Sequence, residues 1–442
     1  SKAAKAVGPS LVMVDFDIPY PTSGVKATNY QGAGVVIDVE KGLVLCDRDT
    51  VPVNLGDVTL TFAGQVRVPG RVELLHPVHD FAVLSYDPAL LGDTEVRAVT
   101  FLDREAEPGT KLWQVALDRN HQVVDHPTTV SRPVPIRMRP SGTPRYRDSN
   151  VEGLELTDAM PSLGGVLTDK KGRVVAGWFS FLDQADNERS FYGMPSAYLT
   201  PVVDALREGR EVTVRSLGAE LWPISLAEAR DRGLPEYRAA ILLLADPAQR
   251  RVMEVERLAG GTPAADLLRE GDLVLELDGA PPTRMLDVER ASQQERVRVT
   301  VLRDGQELSL EVPTVAPDTF GIRRLVSWAG LTLHDPHHEV AAQSGTSMSG
   351  VYIAWLWYGT PGSRFRIRPT RRITAVNGTD TPDLQALLAA IEGLKDRDAV
   401  RVRLETLDGK VLVRTMKLDL LYWPTQLIEH GPDGWSRTML DD

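Results

Sequence analysis

From about residue 9 to residue 195 the chain is built of short β-branched runs separated by Gly, Pro and Asp, with little helical periodicity. Gly34-Val35-Val36-Ile37, Val58-Thr59-Leu60-Thr61-Phe62 and Val72-Glu73-Leu74-Leu75 are three of these runs. Strands this short and this closely spaced, with turn residues between them, predict an all-β barrel or sandwich. The Pro- and Arg-rich stretch 132–150 reads as a long mobile loop. Pro201-Val202-Val203-Asp204-Ala205-Leu206-Arg207-Glu208-Gly209 reads as a short closing helix with a glycine stop, and 210–216 as a linker.

The second half is organised differently and repeats itself. Gly261-Thr262-Pro263-Ala264-Ala265 is followed by Gly271-Asp272-Leu273-Val274-Leu275-Glu276-Leu277-Asp278-Gly279. Gly359-Thr360-Pro361-Gly362-Ser363 is followed by Arg372-Ile373-Thr374-Ala375-Val376-Asn377-Gly378. Thr262 is placed to cap a short helix with Pro263 at its first position, where a missing N–H costs nothing. Asp-Gly and Asn-Gly make tight turns after a buried strand, which also accounts for the glycosylation-like Asn377-Gly378-Thr379. Ser225-Leu226-Ala227-Glu228 is a capping box closed by Gly233. Thr381-Pro382 starts a helix whose Leu384, Leu387, Leu388 and Ile391 share one face, ending at Gly393.

At 442 residues the chain has room for about three domains, and an apolar share of 42% supplies ordinary cores. With 50 basic against 61 acidic residues the formal charge is −11. An acidic chain without a Lys/Arg block argues against nucleic acid and anionic membranes as partners. The single cysteine, Cys46, sits in a predicted core strand and excludes an internal disulfide framework. No run approaches the ~18 apolar residues of a membrane span, the longest obvious one being Ala240-Ile241-Leu242-Leu243-Leu244-Ala245. The compartment, cytoplasmic or periplasmic, stays open. Ser1-Lys2-Ala3-Ala4-Lys5 leads quickly into a first-strand signal at Pro9-Ser10-Leu11-Val12-Met13-Val14, as a processed fragment would.

Four segments carry a resemblance. Gly42-Leu43-Val44-Leu45-Cys46-Asp47-Arg48-Asp49-Thr50-Val51 resembles the strand that delivers a catalytic histidine. His79-Asp80-Phe81-Ala82-Val83-Leu84 resembles the one that delivers a catalytic aspartate. Pro161-Ser162-Leu163-Gly164-Gly165-Val166-Leu167 stands where Gly-Asn-Ser-Gly-Gly-Pro-Leu would carry the serine, and Asp169–Gly177 matches the hairpin after it. In this order and spacing they are similar to the HtrA/Deg (DegP-like, trypsin-like) serine protease family. The resemblance extends to the degenerate second half of its double-length, PDZ-bearing members, of fungal nuclear and plant chloroplast type with bacterial relatives. Asp47–Val53, Leu55–Val58 and Tyr422-Trp423-Pro424 resemble that half in particular. It implies a mainly β chain: a chymotrypsin-like double β-barrel over 1–211, then two PDZ-like α+β domains over 212–316 and 317–442.

The resemblance also implies that the chemistry is gone. The triad positions hold Asp49, Asp80 and Leu163. A serine hydroxyl needs a neighbouring imidazole to take its proton; Leu163 offers no nucleophile and Asp49 cannot relay a proton as imidazole does. One oxyanion-hole amide would belong to Pro161, which has no N–H. The chain reads as a pseudoprotease with no catalytic residues, no metal and no cofactor. A hydrolase with a relocated nucleophile would use Ser162 with His76 or His79, but a nucleophile displaced by one residue on a tight turn points elsewhere.

PDZ domains add a peptide C-terminus to a sheet edge and hold its carboxylate on the amides of a short apolar loop. The loops here would be Leu217-Gly218-Ala219-Glu220-Leu221 and Ala329-Gly330-Leu331-Thr332-Leu333, unless the chain fills its own grooves. Glu220 would repel a carboxylate. Trp355, Trp357 and Tyr358 form an aromatic strand that is either interface or core. His334-Asp335-Pro336-His337-His338, the one metal-like cluster, reads as a solvated loop because consecutive residues around a proline seldom converge. The leading expectation is a regulatory, assembly and peptide-binding module of an HtrA-type endopeptidase system. Its partners would be C-terminal tails or extended peptides, an active HtrA-type unit in cis or trans, and further copies of itself. A stand-alone PDZ scaffold or holdase is the other non-catalytic reading.

Overall fold

The short apolar runs close into two barrels. The computed structural model describes residues 1–102, 104–139, 142–183, 188–346 and 348–441. In the first barrel the strands beginning at Leu11, Asn29, Leu43, Ala82, Val66 and Asp57 close in that order; in the second, those beginning at Gly165, Val174, Glu188, Glu152, Val123 and Lys111. Alternation along each strand explains why the runs are apolar throughout. Val12, Val14, Phe16, Val36, Val44, Ala82 and Leu84 fill the first barrel. Their neighbours Leu11, Met13, Val35, Ile37, Leu45 and Val83 face outward into a core shared with Val115, Val166 and Phe179 of the second. A strand buried on both faces loses the polar half of its pattern. Cys46 is fully buried in the first barrel.

The closing helix runs Ser196–Glu208 and ends at Gly209 in the left-handed region. It begins before Pro201, which lies inside it rather than at its start. Tyr198, Leu199, Val202 and Val203 seat the helix on the core between the barrels.

Each repeat is a separate sheet with helices. The first has five strands in the order Ala219–Ser225, Arg251–Leu258, Leu273–Leu277, Arg296–Arg303, Gln306–Pro313. The second is larger, because Arg324–Trp328 and the C-terminal strands Gln426–Gly431 and Gly434–Met439 are added beside Leu331–His334. The Ser225 cap is present, its Oγ accepting the Glu228 amide at 3.1 Å. Thr262 does not cap: its hydroxyl donates to the Ala259 carbonyl at 2.7 Å. The helix after Thr381-Pro382 is Leu384–Ile391, capped by Asp383. Among the described residues no helix is long and apolar enough to cross a membrane.

The loop glycine and the Gly-Thr-Pro motif of each repeat turn out to be one device. A Cβ on Gly218, at φ +75°, would lie 2.8 Å from Thr262 Oγ1; one on Gly330, at φ +78°, would lie 2.2 Å from Thr360 Cβ. Only glycine lets the loop lie against the threonine. Gly330→Ala and Gly378→Ala both force alanine into the left-handed region, at about 1–2 kcal/mol. Gly378 has nothing within 4 Å of its Cβ position, so Gly330→Ala should cost about 1–3 kcal/mol more from overlap. Urea unfolding of the two variants checks this; equal losses would contradict it.

Candidate functional site

Cys46 pairs with Ala82, so the turn after Leu43–Cys46 and the residues before Ala82–Tyr86 meet. Asp80 Oδ1 accepts the Arg48 amide at 2.8 Å, pinning the turn that carries Asp49. Leu163 donates its N–H to the Leu117 carbonyl at 2.8 Å, its carbonyl accepts the Ala33 amide at 3.2 Å, and its side chain packs on the shared core. The amide that would face an oxyanion is thus inside a hydrogen bond, and Pro161 has none to give. Ser162 Oγ accepts from Gln114 Nε2 at 3.4 Å. His76 Nδ1 accepts the amides of Val78 and His79, and His79 Nε2 meets Glu289 of the first repeat at 2.8 Å. Among the described residues no hydrogen bond joins Ser162 to a histidine.

Four aspartates gather where the triad would be. Asp47 accepts the Thr50 amide at 2.9 Å, the Thr50 hydroxyl at 2.5 Å and the Ser180 amide at 3.1 Å. Ser180 Oγ lies 3.0 Å from Asp47 Oδ2 and 3.1 Å from Asp49 Oδ2. A hydroxyl has one hydrogen. With that hydrogen on Asp47, a proton on Asp49 completes the bridge by donating back to Ser180. Burial first, and then Asp47, push the Asp49 carboxyl up to about 7, although Arg189 at 3.6 Å favours its charged form. Burial also raises Asp148 to about 6 and Asp80 well above the ordinary range.

Residues 142–152 cross this cluster as a strap. The stretch 132–150, expected to be one mobile loop, starts in the strand Val123–Pro135 and ends buried, with Arg147, Asp148 and Asn150 at 9%, 5% and 9% exposure; residues 140 and 141 lie outside the described set. Pro144 accepts from Ser23 Oγ, and Arg145 Nη1 donates to Gly24 O at 2.9 Å. Gln343 of the second repeat donates to Arg145 O. The Arg48 guanidinium stacks 3.5 Å above the Tyr146 ring, whose hydroxyl donates to Asp148 Oδ1 at 2.9 Å. The Ser149 amide donates to Val78 O.

The strap then reaches the first predicted peptide loop. Leu217, Ala219 and Leu221 are buried and Gly218 turns the chain, as a PDZ-like loop requires. Asn150 Nδ2 donates to Ala219 O and its Oδ1 accepts the Leu221 amide, both at 2.8 Å. A carboxamide here supplies the donor and acceptor that a peptide group of an added strand would supply. Arg147 pairs with Glu220, which also holds Arg257 at 3.0 Å. Glu152 receives Arg284 and the Met285 amide at the start of the helix Met285–Ser292. Leu286 of that helix is buried in the core between the barrels, so the side of the first repeat that would flank a peptide is packed on the double barrel.

The second predicted loop lies in a hairpin. Val326, Ser327 and Trp328 pair with Leu333, Thr332 and Leu331 through the turn at Ala329-Gly330. On the other side Leu331, Thr332 and Leu333 pair with Leu356, Trp355 and Ile353. Both edges of this strand are therefore taken. Of the aromatic residues beyond it, Trp357 and Tyr358 are exposed.

The histidine cluster is not a solvated loop. His334 is 1% exposed at a strand end, its Nδ1 paired with Asp335 O at 2.7 Å, and burial drives it down to about 3. His337 precedes the helix His338–Ser344 and pairs with Glu339 at 2.8 Å. With Arg48 and Ile322 they line a cavity of about 510 Å³ between the first barrel and the second repeat. Among the described residues no group of three His, Cys, Asp or Glu is placed to hold a metal.

The titration of Asp49 is testable. The folded chain keeps its proton to about pH 7, whereas the unfolded chain releases it near about pH 4. The resulting stability is complete below the lower value and declines as pH rises to the upper one. Asp49→Asn keeps a donor for Ser180 and removes the titration. Its stability relative to the parent chain should climb from pH 4 to pH 7 and then level off in urea titrations; a flat difference would contradict the assignment.

A family model for a PDZ-like domain matches residues 322–397. The chain is 33% identical to Protease Do-like 7 of Arabidopsis thaliana, over 100% of this chain and 44% of that protein. It is 33% identical to the pro-apoptotic serine protease NMA111 of Yarrowia lipolytica, over 96% of this chain and 44% of that protein. Of solved structures, HtrA-type protease AlgW with tripeptide is similar at a TM-score of 0.49 and 17% identity, covering 71% of this chain and 95% of that one. The chain spans less than half the length of the curated relatives it matches. With its double barrel and PDZ-like domains, it belongs to the HtrA/Deg (DegP-like) serine protease family.

Proposed function

We propose that this chain is a non-catalytic regulatory and assembly module of an HtrA-type serine endopeptidase system. The observation that carries the reading is the fate of the nucleophile position. Leu163 has no nucleophile, and its amide is bonded to Leu117. Asp49 replaces the base, and the carboxylate at Asp80 holds the backbone of the turn. Hydrolysis needs nucleophile, base and oxyanion donors at one point, and here each has another partner. The relocated constellation fares no better, since Ser162 is held by Gln114 while His76 and His79 are bonded elsewhere.

The same reading takes 1–211 as the pseudoprotease unit and 212–316 and 317–442 as the two PDZ-like units. The length of the relatives fits an active protease unit in cis or trans as partner. Peptide recognition would belong to the PDZ-like units, and in the conformation described both of their predicted edges are occupied by the chain itself. At the start of the strand Ala219–Ser225, Ala219 O and the Leu221 amide are bonded to Asn150. Leu331–His334 is covered by Arg324–Trp328.

A serine-directed fluorophosphonate probe is expected to leave the native chain unlabelled. Leu163→Ser should remain unlabelled too, within about tenfold of background, because it restores neither the imidazole nor a free amide. Stoichiometric labelling of the native chain would overturn the non-catalytic reading.

A further inference from the structure

We infer that the edge of the first PDZ-like sheet recognises an internal peptide segment bearing arginine, asparagine three residues later and glutamate two residues after that, and that residues 147–152 are its resident copy. The inference refines the peptide-binding part of the proposed function. Its basis is that the start of this edge and the helix beside it are already bound, through Arg147, Asn150 and Glu152, to a segment that is not a chain terminus.

The chemistry of the edge selects for such a segment. Glu220 stands beside the loop that would receive a terminal carboxylate, and with two guanidinium partners, Arg147 and Arg257, it makes a cation site there. A carboxylate brought to that position would meet Glu220 and displace Arg147, a like-charge contact in a half-buried place. On the backbone either side of Glu220, Ala219 O and the Leu221 amide present one acceptor and one donor. The Asn150 carboxamide satisfies both at 2.8 Å; aspartate or leucine could not satisfy both. Beyond them Arg284 and the Met285 amide, at the start of the flanking helix, take a carboxylate, here Glu152. Guanidinium, carboxamide and carboxylate thus meet three distinct sites in chain order, with Val151 buried between the last two. Binding by such a segment in trans requires the resident strap to leave, which would uncover the aspartate cluster at the same time.

The test uses the 442-residue chain and a labelled peptide of sequence Pro-Arg-Tyr-Arg-Asp-Ser-Asn-Val-Glu-Gly, copying 144–153, acetylated and amidated so that it has no terminal carboxylate. Arg147→Ala/Asn150→Ala, which frees the edge, should bind it at least tenfold more tightly than the native chain does, by fluorescence anisotropy. Adding Glu220→Lys to that variant should cost at least tenfold. A scrambled peptide should not compete. Equal binding with and without Glu220→Lys, no binding to the freed edge, or displacement by an apolar peptide with a free carboxyl terminus would each overturn the inference. Should the freed variant fail to fold, a charge swap decides. Arg147→Glu and Glu220→Arg should each lower the thermal midpoint, and the double variant should lose clearly less than their sum, Arg257 beside position 220 keeping the rescue partial, whereas additive losses count against the pairing. Probe labelling of the native chain would sink the non-catalytic reading and leave these outcomes untouched.

Discussion

The arrangement depends on one short contact, the Asn150 carboxamide on the open edge of the first PDZ-like sheet. Through it, a segment of the double barrel is fastened to the edge strand of the next domain by a side chain that bonds two of its backbone groups. On one side of Asn150, Asp148 and Tyr146 are carried into the aspartate cluster and under the Arg48 guanidinium. On the other, Glu152 fixes the start of the helix Met285–Ser292, and Leu286 of that helix completes the core between the barrels. A buried amide with both of its hydrogen-bonding groups satisfied is costly to pull away, because the edge groups Ala219 O and Leu221 N–H would be left unpaired. Domain orientation and groove occupancy are therefore coupled through the same few atoms.

On the non-catalytic reading proposed above, the groups at the place of a triad are bonded to the fold itself. A serine protease must keep its nucleophile, base and oxyanion amides unsatisfied until substrate arrives, which costs stability. In this chain the Leu163 amide, the Asp49 carboxyl and the Ser180 hydroxyl all have partners in the folded state. Burial, and then Asp47, push the Asp49 carboxyl up to about 7.

Much of the fold was legible because strand periodicity and turn chemistry are local. The runs from Leu11 to Leu84 announce barrel strands, and their lack of alternation is explained by the core shared between barrels. Gly218 with Thr262, and Gly330 with Thr360, were read as separate signals although they are one contact, since nothing in sequence spacing reveals that a loop and a helix start touch. The three slots at Asp49, Asp80 and Leu163 were placed by their flanks. The strap is where local reading fails: a stretch rich in proline and arginine looks solvated until its partners are known. Those partners, Glu220, Ala219 and Leu221, lie about seventy positions downstream, and the only local hint was the carboxylate at Glu220, which has no place beside a carboxylate site. His334 is buried at a strand end with its ring against Tyr352, eighteen positions on, which its local sequence does not reveal.

The most direct measurement is native-state hydrogen exchange across residues 144–152 in the intact chain. If the strap closes the aspartate cluster and the first groove, the Ser149 amide, bonded to Val78, and the Leu221 amide, bonded to Asn150, should be protected and should open together, at a denaturant dependence larger than that of loop fraying. Exchange of both amides at rates typical of free loops, with the barrel strands still protected, would show that the strap does not hold the domains and would remove the basis of the account.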